Sequence, residues 1–225
     1  MTKERRVNLI ECFTSFQGEG PDSGRAMIIL RFKTCNRKCP WCDTAVKMRI
    51  SMEAPYKLAD IQKTIYESKA GLLITGGEPT VPKHFDEVAM LLNELDFPVA
   101  NVESNGYRLE ELINIVNPNG RIKFMYSPKI FNEADLEQAK ALTEKFLSIT
   151  NVYIKLVYED NPLILEYMNY LRDYCEDLSW QHRVWVMPEG ATRSDLIRNA
   201  EKVFDVCEQY KFNFSSRSHI MFGFI

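Results

Sequence analysis

Short apolar runs alternate with longer segments of helical spacing along almost the whole chain. Runs rich in aliphatic residues, such as Ala26–Phe32 and Gly71–Thr75, predict strands. Between these runs, apolar residues recur every three or four positions, which predicts amphipathic helices. Strands and helices that alternate in this way form parallel sheets with right-handed helical crossovers. The pattern therefore predicts a mostly parallel α/β fold.

The bounds of the elements follow from the same pattern. The predicted strands are Val7–Phe13, Ala26–Phe32, Gly71–Thr75, Val99–Val102, Ile122–Tyr126, Val152–Tyr158 and Val184–Met187. The predicted helices are Leu58–Lys69, Pro82–Leu95, Leu109–Val116, Glu133–Leu147, Pro162–Tyr174 and Ser194–Tyr210. Because no linker or repeat interrupts them, residues 1–225 are predicted to form one domain. The aromatic tail Phe212–Ile225 is expected to pack against the rest of the chain.

Glycines and polar residues recur where successive predicted strands end. The segments concerned are the cysteine loop described below, Gly76-Gly77, Ser104-Asn105-Gly106, Ser127-Pro128-Lys129 and Met187-Pro188-Glu189-Gly190. A doubly wound sheet and a barrel both fit the alternation of strands and helices. In a barrel, however, the carboxyl ends of successive strands converge on one mouth. This placement favours a partial (β/α) barrel.

Composition and charge exclude some classes of function. The chain has 225 residues, enough for one sizeable core. The formal net charge of −3 provides no basic field, so direct binding to nucleic acid is not expected. No apolar run has the length of a membrane span, and the sequence M-T-K-E-R-R lacks the apolar segment of a signal peptide. A cytoplasmic protein without membrane contact is expected.

The strongest chemical signal is the loop Thr34–Thr44, which reads T-C-N-R-K-C-P-W-C-D-T. It places Cys35, Cys39 and Cys42 close together in sequence. Thiolates are soft ligands that select zinc or iron–sulfur sites. Three thiolates hold three irons of a 4Fe–4S cluster and leave the fourth iron open, as in a catalytic metal site.

The same three cysteines also fit a structural zinc site or ordinary free thiols. A structural zinc site requires four ligands, but no second Cys-x-x-Cys exists and the histidines His84, His182 and His219 do not have ligand spacing. The sequence favours the cluster but leaves both alternatives open. The remaining cysteines lie in apolar or helical patterns and are interpreted as buried hydrophobic residues; they are Cys12, Cys175 and Cys207.

The spacing Cys-x-x-x-Cys-x-x-Cys on a loop after a strand resembles the radical S-adenosylmethionine superfamily. The segment Phe13–Gly24, which reads F-T-S-F-Q-G-E-G-P-D-S-G, and the pair Asp43-Thr44 narrow the likeness. Together they resemble the 7-carboxy-7-deazaguanine synthase family. The resemblance implies a partial (β/α) barrel, a 4Fe–4S cluster, S-adenosylmethionine and Mg2+. It also implies a homodimer and a reducing partner such as flavodoxin.

The resemblance assigns cofactor ligands to matching residues. Cys35, Cys39 and Cys42 would ligate the cluster, and Thr44 would ligate Mg2+, a metal that takes few protein ligands. S-adenosylmethionine would contact Trp41, Asp43, Gly77, Glu78, Ser104, Ser127, Lys129, Met187 and Glu189. The family usually has Thr at the place of Ser104, and many relatives have Gln at the place of Met187. Asp43-Thr44 as a helix N-cap pair stays an alternative.

The segment Thr75-Gly76-Gly77-Glu78-Pro79 matches the superfamily's Gly-Gly-Glu-Pro motif. Two glycines allow the backbone to approach a ligand closely, and a carboxylate accepts hydrogen bonds from an ammonium group. An ordinary strand-to-helix turn would also account for the glycine pair. The combination with the cysteine loop favours the cofactor interpretation.

A second set of residues is expected to bind the substrate. Arg31 lies in an otherwise apolar strand, so its guanidinium must be paired or face a cavity, unless it faces solvent at the strand end. Its planar fork suits a substrate carboxylate, and Glu19 is expected to accept hydrogen bonds from an aminopyrimidine edge. The resemblance implies a substrate set of Phe16, Gln17, Gly18, Arg31, Thr75, His219 and Ile225, to which Glu19 is added. For His219, an ordinary histidine without a ligand role stays open.

The resemblance implies a radical ring contraction of 6-carboxy-5,6,7,8-tetrahydropterin to 7-carboxy-7-deazaguanine with loss of ammonia, in the pathway to queuosine. Three alternatives remain. One is an activase that installs a glycyl radical in a partner enzyme. Another is a radical enzyme acting on a different heterocycle. The third is a metal-binding interaction protein without catalysis.

Overall fold

The computed structural model describes residues 4–116, 120–176 and 179–224. The strands are β1 (Arg6–Leu9), β2 (Glu11–Phe16), β3 (Ala26–Phe32), β4 (Ala54–Lys57), β5 (Gly71–Gly76), β6 (Ala100–Ser104), β7 (Ile122–Tyr126), β8 (Val152–Tyr158), β9 (Val184–Pro188) and β10 (Asn213–Phe214). The helices are α1 (Ala45–Ile50), α2 (Leu58–Ser68), α3 (Pro82–Glu94), α4 (Leu109–Ile115), α5 (Glu133–Leu147), α6 (Pro162–Glu176), α7 (Arg193–Tyr210) and α8 (Ser218–Phe222).

The chain divides into two compact units. The first consists of Met1–Gln17 and Arg25–Phe124, and the second of Gly18–Gly24 and Met125–Ile225. The division falls within β7. The prediction of a single domain over residues 1–225 stays a prediction.

The first unit contains strands β2, β3, β5 and β6 in this spatial order. Strand β2 is antiparallel to β3, whereas β3, β5 and β6 are parallel. Buried aliphatic side chains of these strands form the core, including Met27, Ile29 and Leu73. A separate antiparallel pair joins β1 to β4.

The second unit contains the parallel strands β8, β9 and β10. The N-cap residues of helices α5 and α7 are Asn132 and Thr192. The side chain of each accepts a hydrogen bond from the backbone N–H of the residue three positions later. Phe212 is buried and β10 pairs with β9, so the tail packs onto the sheet as expected. Phe222 and Phe224 nevertheless stay exposed.

The mostly parallel α/β fold is confirmed, and several elements have the predicted bounds, among them Ala26–Phe32 and Glu133–Leu147. The prediction of one strand over Val7–Phe13 is wrong. The chain bends at Ile10 because β1 pairs with β4 while β2 pairs with β3, and the Ile10 N–H donates to Arg31 O at 2.9 Å. Helix α1 and strand β4 were not predicted. No helix in the described ranges is long and apolar enough to cross a membrane.

Candidate cofactor site

The cysteine loop Thr34–Thr44 lies between β3 and α1 in the first unit. Cys35, Cys39 and Cys42 are all half-buried. The Arg37 N–H points to Cys35 Sγ at 3.4 Å, and Cys42 Sγ lies 3.5 Å from Thr44 Oγ1. Backbone hydrogen bonds to cysteine sulfur tune iron–sulfur centres. The loop therefore presents accessible sulfur atoms next to polar groups.

The other cysteines differ from those of the loop. Cys175 and Cys207 are buried, and burial raises the pKa of their thiols to about 11 and about 12. This confirms their interpretation as buried apolar residues. Cys12 is only half-buried on β2, although burial raises its pKa to about 11. A thiol that resists deprotonation is a poor metal ligand.

The donor chemistry of the loop fits an iron–sulfur cluster. Its three thiols are soft donors, and no other cysteine of suitable chemistry in the described ranges supplies the fourth ligand that a structural zinc ion requires. Within the same ranges, no three His, Cys, Asp or Glu side chains are gathered as a metal-ion site. The assignment of Cys35, Cys39 and Cys42 to the cluster therefore rests on donor type and spacing.

The Gly76-Gly77 pair packs against the start of the cysteine loop. A Cβ atom on Gly76 would lie 2.2 Å from Phe32 O, and one on Gly77 would lie 2.2 Å from Thr34 O. Gly76 also has a φ of +125°, which side chains rarely tolerate. The Gly77 N–H donates to Phe32 O at 2.9 Å, and the Glu78 N–H donates to Thr34 O at 2.8 Å. The sequence predicts that the two glycines allow the backbone to approach a ligand. In the structure they allow the end of β5 to pack against the start of the cysteine loop.

Glu78 is 1 % exposed, and its carboxylate lies among hydrogen-bond donors. Oε1 accepts from the Thr80 hydroxyl at 2.6 Å and from Ser104 Oγ at 2.8 Å. Oε2 accepts from the Asn105 N–H at 2.6 Å. Burial raises the pKa of Glu78, and the hydrogen bonds from Thr80, Asn105 and Ser104 oppose that rise. Glu78 therefore joins the turns that follow β5 and β6.

The turn after β6 also reaches the cysteine loop. Asn105 Nδ2 donates to Asn36 Oδ1 at 2.8 Å. Ser104 Oγ both donates to Glu78 and accepts from the Gly106 N–H at 3.0 Å. The hydroxyl of Ser104 is thus engaged within the protein, and its contact with a cofactor stays a prediction. The sequence assigns no role to Asn36, and it names Asn105 only within the segment that follows β6.

The predicted substrate residues of the first unit have partners within it. Arg31 Nε donates to Glu11 Oε2 at 2.6 Å, and Glu11 also pairs with Lys47 on α1. This arrangement excludes an Arg31 that faces solvent alone. Gln17, which is buried, donates from Nε2 to Asn101 Oδ1 at 3.2 Å. Phe16 is exposed.

Four further residues of the first unit have roles that the resemblance implies, namely Trp41, Asp43, Thr44 and Thr75. Thr75 donates from Oγ1 to Glu103 Oε2 at 2.7 Å. Thr44 occupies the N-cap position of α1, but its side chain makes no capping hydrogen bond. The N-cap alternative therefore does not account for the Thr44 hydroxyl. Trp41 is half-buried and Asp43 is exposed.

Glu19 lies in a buried ion cluster of the second unit. It is 7 % exposed, its Oε2 lies 2.5 Å from Lys155 Nζ, and its Oε1 lies 2.9 Å from Arg217 Nε. Burial alone raises the pKa of Glu19, but the charges of Lys155 and Arg217 outweigh it and lower the pKa. The sequence predicts that Glu19 binds a substrate, but it does not predict the ion pairs with Lys155 and Arg217. The sequence contains one indication of this cluster, because Lys155 is a charged residue in an otherwise apolar strand.

Gly18 and His219 are neighbours in the second unit. A Cβ atom on Gly18 would lie 1.8 Å from His219 Nδ1, and the Ser218 N–H donates to Gly18 O at 3.0 Å. His219 Nε2 lies 4.0 Å from Glu19 Oε1. Three of the predicted substrate residues are therefore brought together. Ile225 lies outside the described residues.

The remaining predicted cofactor residues are in the second unit. Lys129 Nζ donates to Ser127 Oγ at 2.6 Å. Met187 is buried at the end of β9, and Glu189 O accepts from Asn199 Nδ2 at 2.7 Å. Ser127 and Lys129 follow β7, Met187 lies near the end of β9, and Glu189 follows β9.

The chain is similar to proteins of one family. The family model described as the Radical SAM superfamily matches residues 29–159. A 7-carboxy-7-deazaguanine synthase of Thermoplasma acidophilum is 29 % identical, over 87 % of this chain and 88 % of the relative. A synthase of the same name from Hyperthermus butylicus is 25 % identical, over 96 % of this chain and 92 % of the relative.

Similarity to a solved structure concerns the fold. The crystal structure of QueE from Escherichia coli matches with a TM-score of 0.54 and 17 % identity, over 93 % of this chain and 92 % of that chain. At this identity the likeness shows a shared α/β fold. Since the family model spans the cysteine loop and more than half of the chain, this protein belongs to the radical SAM superfamily.

Proposed function

We propose that this protein is a 7-carboxy-7-deazaguanine synthase. It would convert 6-carboxy-5,6,7,8-tetrahydropterin to 7-carboxy-7-deazaguanine with loss of ammonia, as a radical carbon–nitrogen lyase of queuosine biosynthesis. The observation that carries the proposal is similarity to proteins of this name over nearly the whole chain. The glycine-rich segment Phe13–Gly24 and the cysteine loop Thr34–Thr44 support that similarity. Both resemble the family in their residue types and in their order along the chain.

The cofactors follow from the superfamily and from the donor chemistry. When bound, the cluster and S-adenosylmethionine supply the one-electron chemistry that begins the reaction. Cys35, Cys39 and Cys42 would hold the cluster. The turn at Gly77 and Glu78 lies against the start of this loop, so it would place backbone groups near the sulfonium cofactor. Ser127 and Lys129 already form a hydrogen-bonded pair after β7 and would supply polar contacts.

The other proposed S-adenosylmethionine contacts are Trp41, Asp43, Ser104, Met187 and Glu189. Mg2+ would use the hydroxyl of Thr44, which no capping hydrogen bond engages. Magnesium keeps most of its ligands from substrate and water, so one protein ligand suffices. It would orient the substrate carboxylate.

The proposed substrate residues divide by charge. Arg31 would bind the carboxylate of the pterin, because the guanidinium fork matches two carboxylate oxygens. Glu19 and His219 would face the aminopyrimidine edge, with Lys155 and Arg217 keeping the Glu19 carboxylate ionised. Phe16, Gln17, Gly18 and Thr75 complete the set.

A homodimer, an electron donor such as flavodoxin and a cytoplasmic location are part of the same proposal. No step requires nucleic acid or a membrane.

The test is an anaerobic assay of reconstituted protein with dithionite, S-adenosylmethionine, Mg2+ and 6-carboxy-5,6,7,8-tetrahydropterin, read by mass spectrometry. We expect 7-carboxy-7-deazaguanine, and we expect none from Cys39→Ala. The matched control is Cys12→Ala, which removes a thiol outside the loop and should retain turnover. Formation of 5′-deoxyadenosine without the deazapurine would reject the proposed substrate and keep the radical enzyme. A colourless zinc protein would reject the enzyme.

The assignment of Arg31 has its own test. Arg31→Ala should weaken pterin binding while the iron content stays unchanged. Glu11→Gln is the control, since it removes the charged partner of Arg31 but keeps the guanidinium. Unchanged substrate affinity in Arg31→Ala, or equal losses in both variants, would reject the direct contact.

A further inference from the structure

His84 is a fully buried histidine in the first turn of α3. Its Nε2 atom accepts a hydrogen bond from the Thr34 N–H at 3.2 Å. Its ring packs on Phe32, with ring centroids 4.8 Å apart. Phe32 ends strand β3, and Thr34 directly precedes Cys35. The imidazole therefore contacts the segment that leads into the cysteine loop.

The hydrogen bond fixes the tautomer of the ring. A nitrogen that accepts from an N–H carries the lone pair, so the proton lies on Nδ1. Burial lowers the pKa of His84 to about 4, and the charge of Lys83 adds to the effect. The neutral ring is the form that can accept from Thr34.

A carboxylate lies on the Nδ1 side of the ring. Glu87 Oε2 is 4.0 Å from His84 Nδ1. Within the part of the chain that the structure describes, neither Nδ1 of His84 nor Oε1 of Glu53 has a hydrogen-bond partner. The Glu87 carboxylate near Nδ1 therefore favours a proton on Nδ1 rather than on Nε2.

Thr34 is thereby held at both ends of its backbone. Its N–H donates to His84, and its carbonyl oxygen accepts from the Glu78 N–H at 2.8 Å. Glu78 lies just before α3 and His84 lies in its first turn. One continuous segment therefore forms both hydrogen bonds to Thr34, the residue before the first cysteine. Loss of the acceptor would leave this partly buried N–H without a partner, which favours opening of the segment.

We propose that His84 is a positioning residue of the cysteine loop: its neutral imidazole fixes the Thr34 peptide and thereby the direction in which Cys35 presents its sulfur. The inference rests on the cluster-binding role of the loop and not on the identity of the substrate. Its consequences are therefore measurable in protein without substrate.

The test compares three variants. His84→Phe keeps a ring against Phe32 but removes the acceptor, and His84→Gln places an amide oxygen near the position of Nε2. The control is Leu92→Ala, which empties a buried position farther along the same helix. Three properties are measured. They are hydrogen exchange of the peptide that contains Thr34, the alkylation rate of Cys35 relative to Cys42 in cluster-free protein, and the iron retained after reconstitution.

We expect His84→Phe to raise exchange at Thr34 about tenfold, in line with the loss of one hydrogen bond. It should also change the alkylation ratio and lower iron retention. His84→Gln should restore all three properties, and Leu92→Ala should leave the alkylation ratio unchanged. If His84→Phe does not fold, His84→Asn replaces it, because its shorter amide does not reach Thr34. The proposal is overturned if the Phe or Asn variant behaves like Leu92→Ala, or if Gln gives no rescue.

Discussion

Glu78 and Glu19 are two buried carboxylates that the protein stabilises in opposite ways. Glu78, in the first unit, is surrounded by neutral donors from hydroxyl and backbone groups. Glu19, in the second unit, lies between the cations of Lys155 and Arg217. The pKa of Glu78 is raised because burial outweighs its hydrogen bonds, whereas the pKa of Glu19 is lowered because the two cations outweigh burial.

The comparison shows what each carboxylate is suited to do. Neutral donors fix the position of Glu78 and leave its charge weakly compensated, so it suits the joining of turns beside the cysteine loop. Two cations hold the charge of Glu19 permanently, which suits a fixed acceptor. A buried ion network is costly to break, because the ion that remains has no counter-charge.

The largest expected effect is that of Glu19→Ala. It leaves Lys155 and Arg217 buried without their anion and should lower the free energy of unfolding by about 3–5 kcal/mol. Urea denaturation measures the change. Glu4→Ala is the control, since Glu4 forms its ion pairs with Arg6 and Lys57 at the surface and should have little effect. Equal losses in the two variants would contradict the buried ion cluster.

Gly77→Ala should lower the free energy of unfolding by about 1–3 kcal/mol, as overpacking does. The new Cβ atom would lie 2.2 Å from Thr34 O, so the cysteine loop must move. Iron retention should fall with it. Gly24→Ala is the control: its φ of +86° strains the backbone, but no atom of the residues that the structure describes lies within 4 Å of the new Cβ. Iron retention that falls in both variants would refute the steric explanation.

Glu78→Gln should lower the free energy of unfolding by about 1–3 kcal/mol. An amide NH2 group would replace one of the two carboxylate oxygens, both of which accept hydrogen bonds from nearby donors. Stability falls because the new NH2 group is a donor that would face another donor, the Asn105 N–H or the Ser104 hydroxyl. Glu103→Gln is the matched change, since the oxygen of a glutamine can still accept from Thr75. Denaturant unfolding compares them. Similar values for the two variants would show that the Glu78 contacts carry no special weight.

The smallest expected effect is a difference in pH dependence. Glu78 has a raised pKa, so its contribution to stability is complete below its ordinary pKa of 4.5 and is lost as the pH rises through the raised pKa. Glu19 has a lowered pKa, so its contribution is present above 4.5 and is lost as the pH falls through the lowered pKa. Relative to the matching Gln variants, wild-type stability should therefore change in opposite directions between about pH 3 and pH 7, by at most about 1.4 kcal/mol per pH unit. Slopes of the same sign would reject the opposite shifts.

The sequence by itself determined the order and type of most elements. Strand β3 and helix α5 have the predicted bounds because their signals are local: a continuous apolar run and a helical period. The cysteine spacing is likewise local, and it indicated the superfamily that the family model confirms. Cys175 and Cys207 were correctly placed inside by their apolar surroundings.

Only the tertiary structure decided what the polar residues contact. The Thr34–His84 hydrogen bond joins residues 50 positions apart, and the Glu19 cluster joins residues 136 and 198 positions apart. Such pairs leave no periodic trace in the chain, since either partner alone resembles an ordinary surface or core residue. The same cause explains the bend at Ile10, where two different strand partners divide one apolar run, and the Gly76-Gly77 pair, whose neighbour is another segment of this chain. Local pattern fixes the elements, whereas long-range contact fixes the use of each side chain.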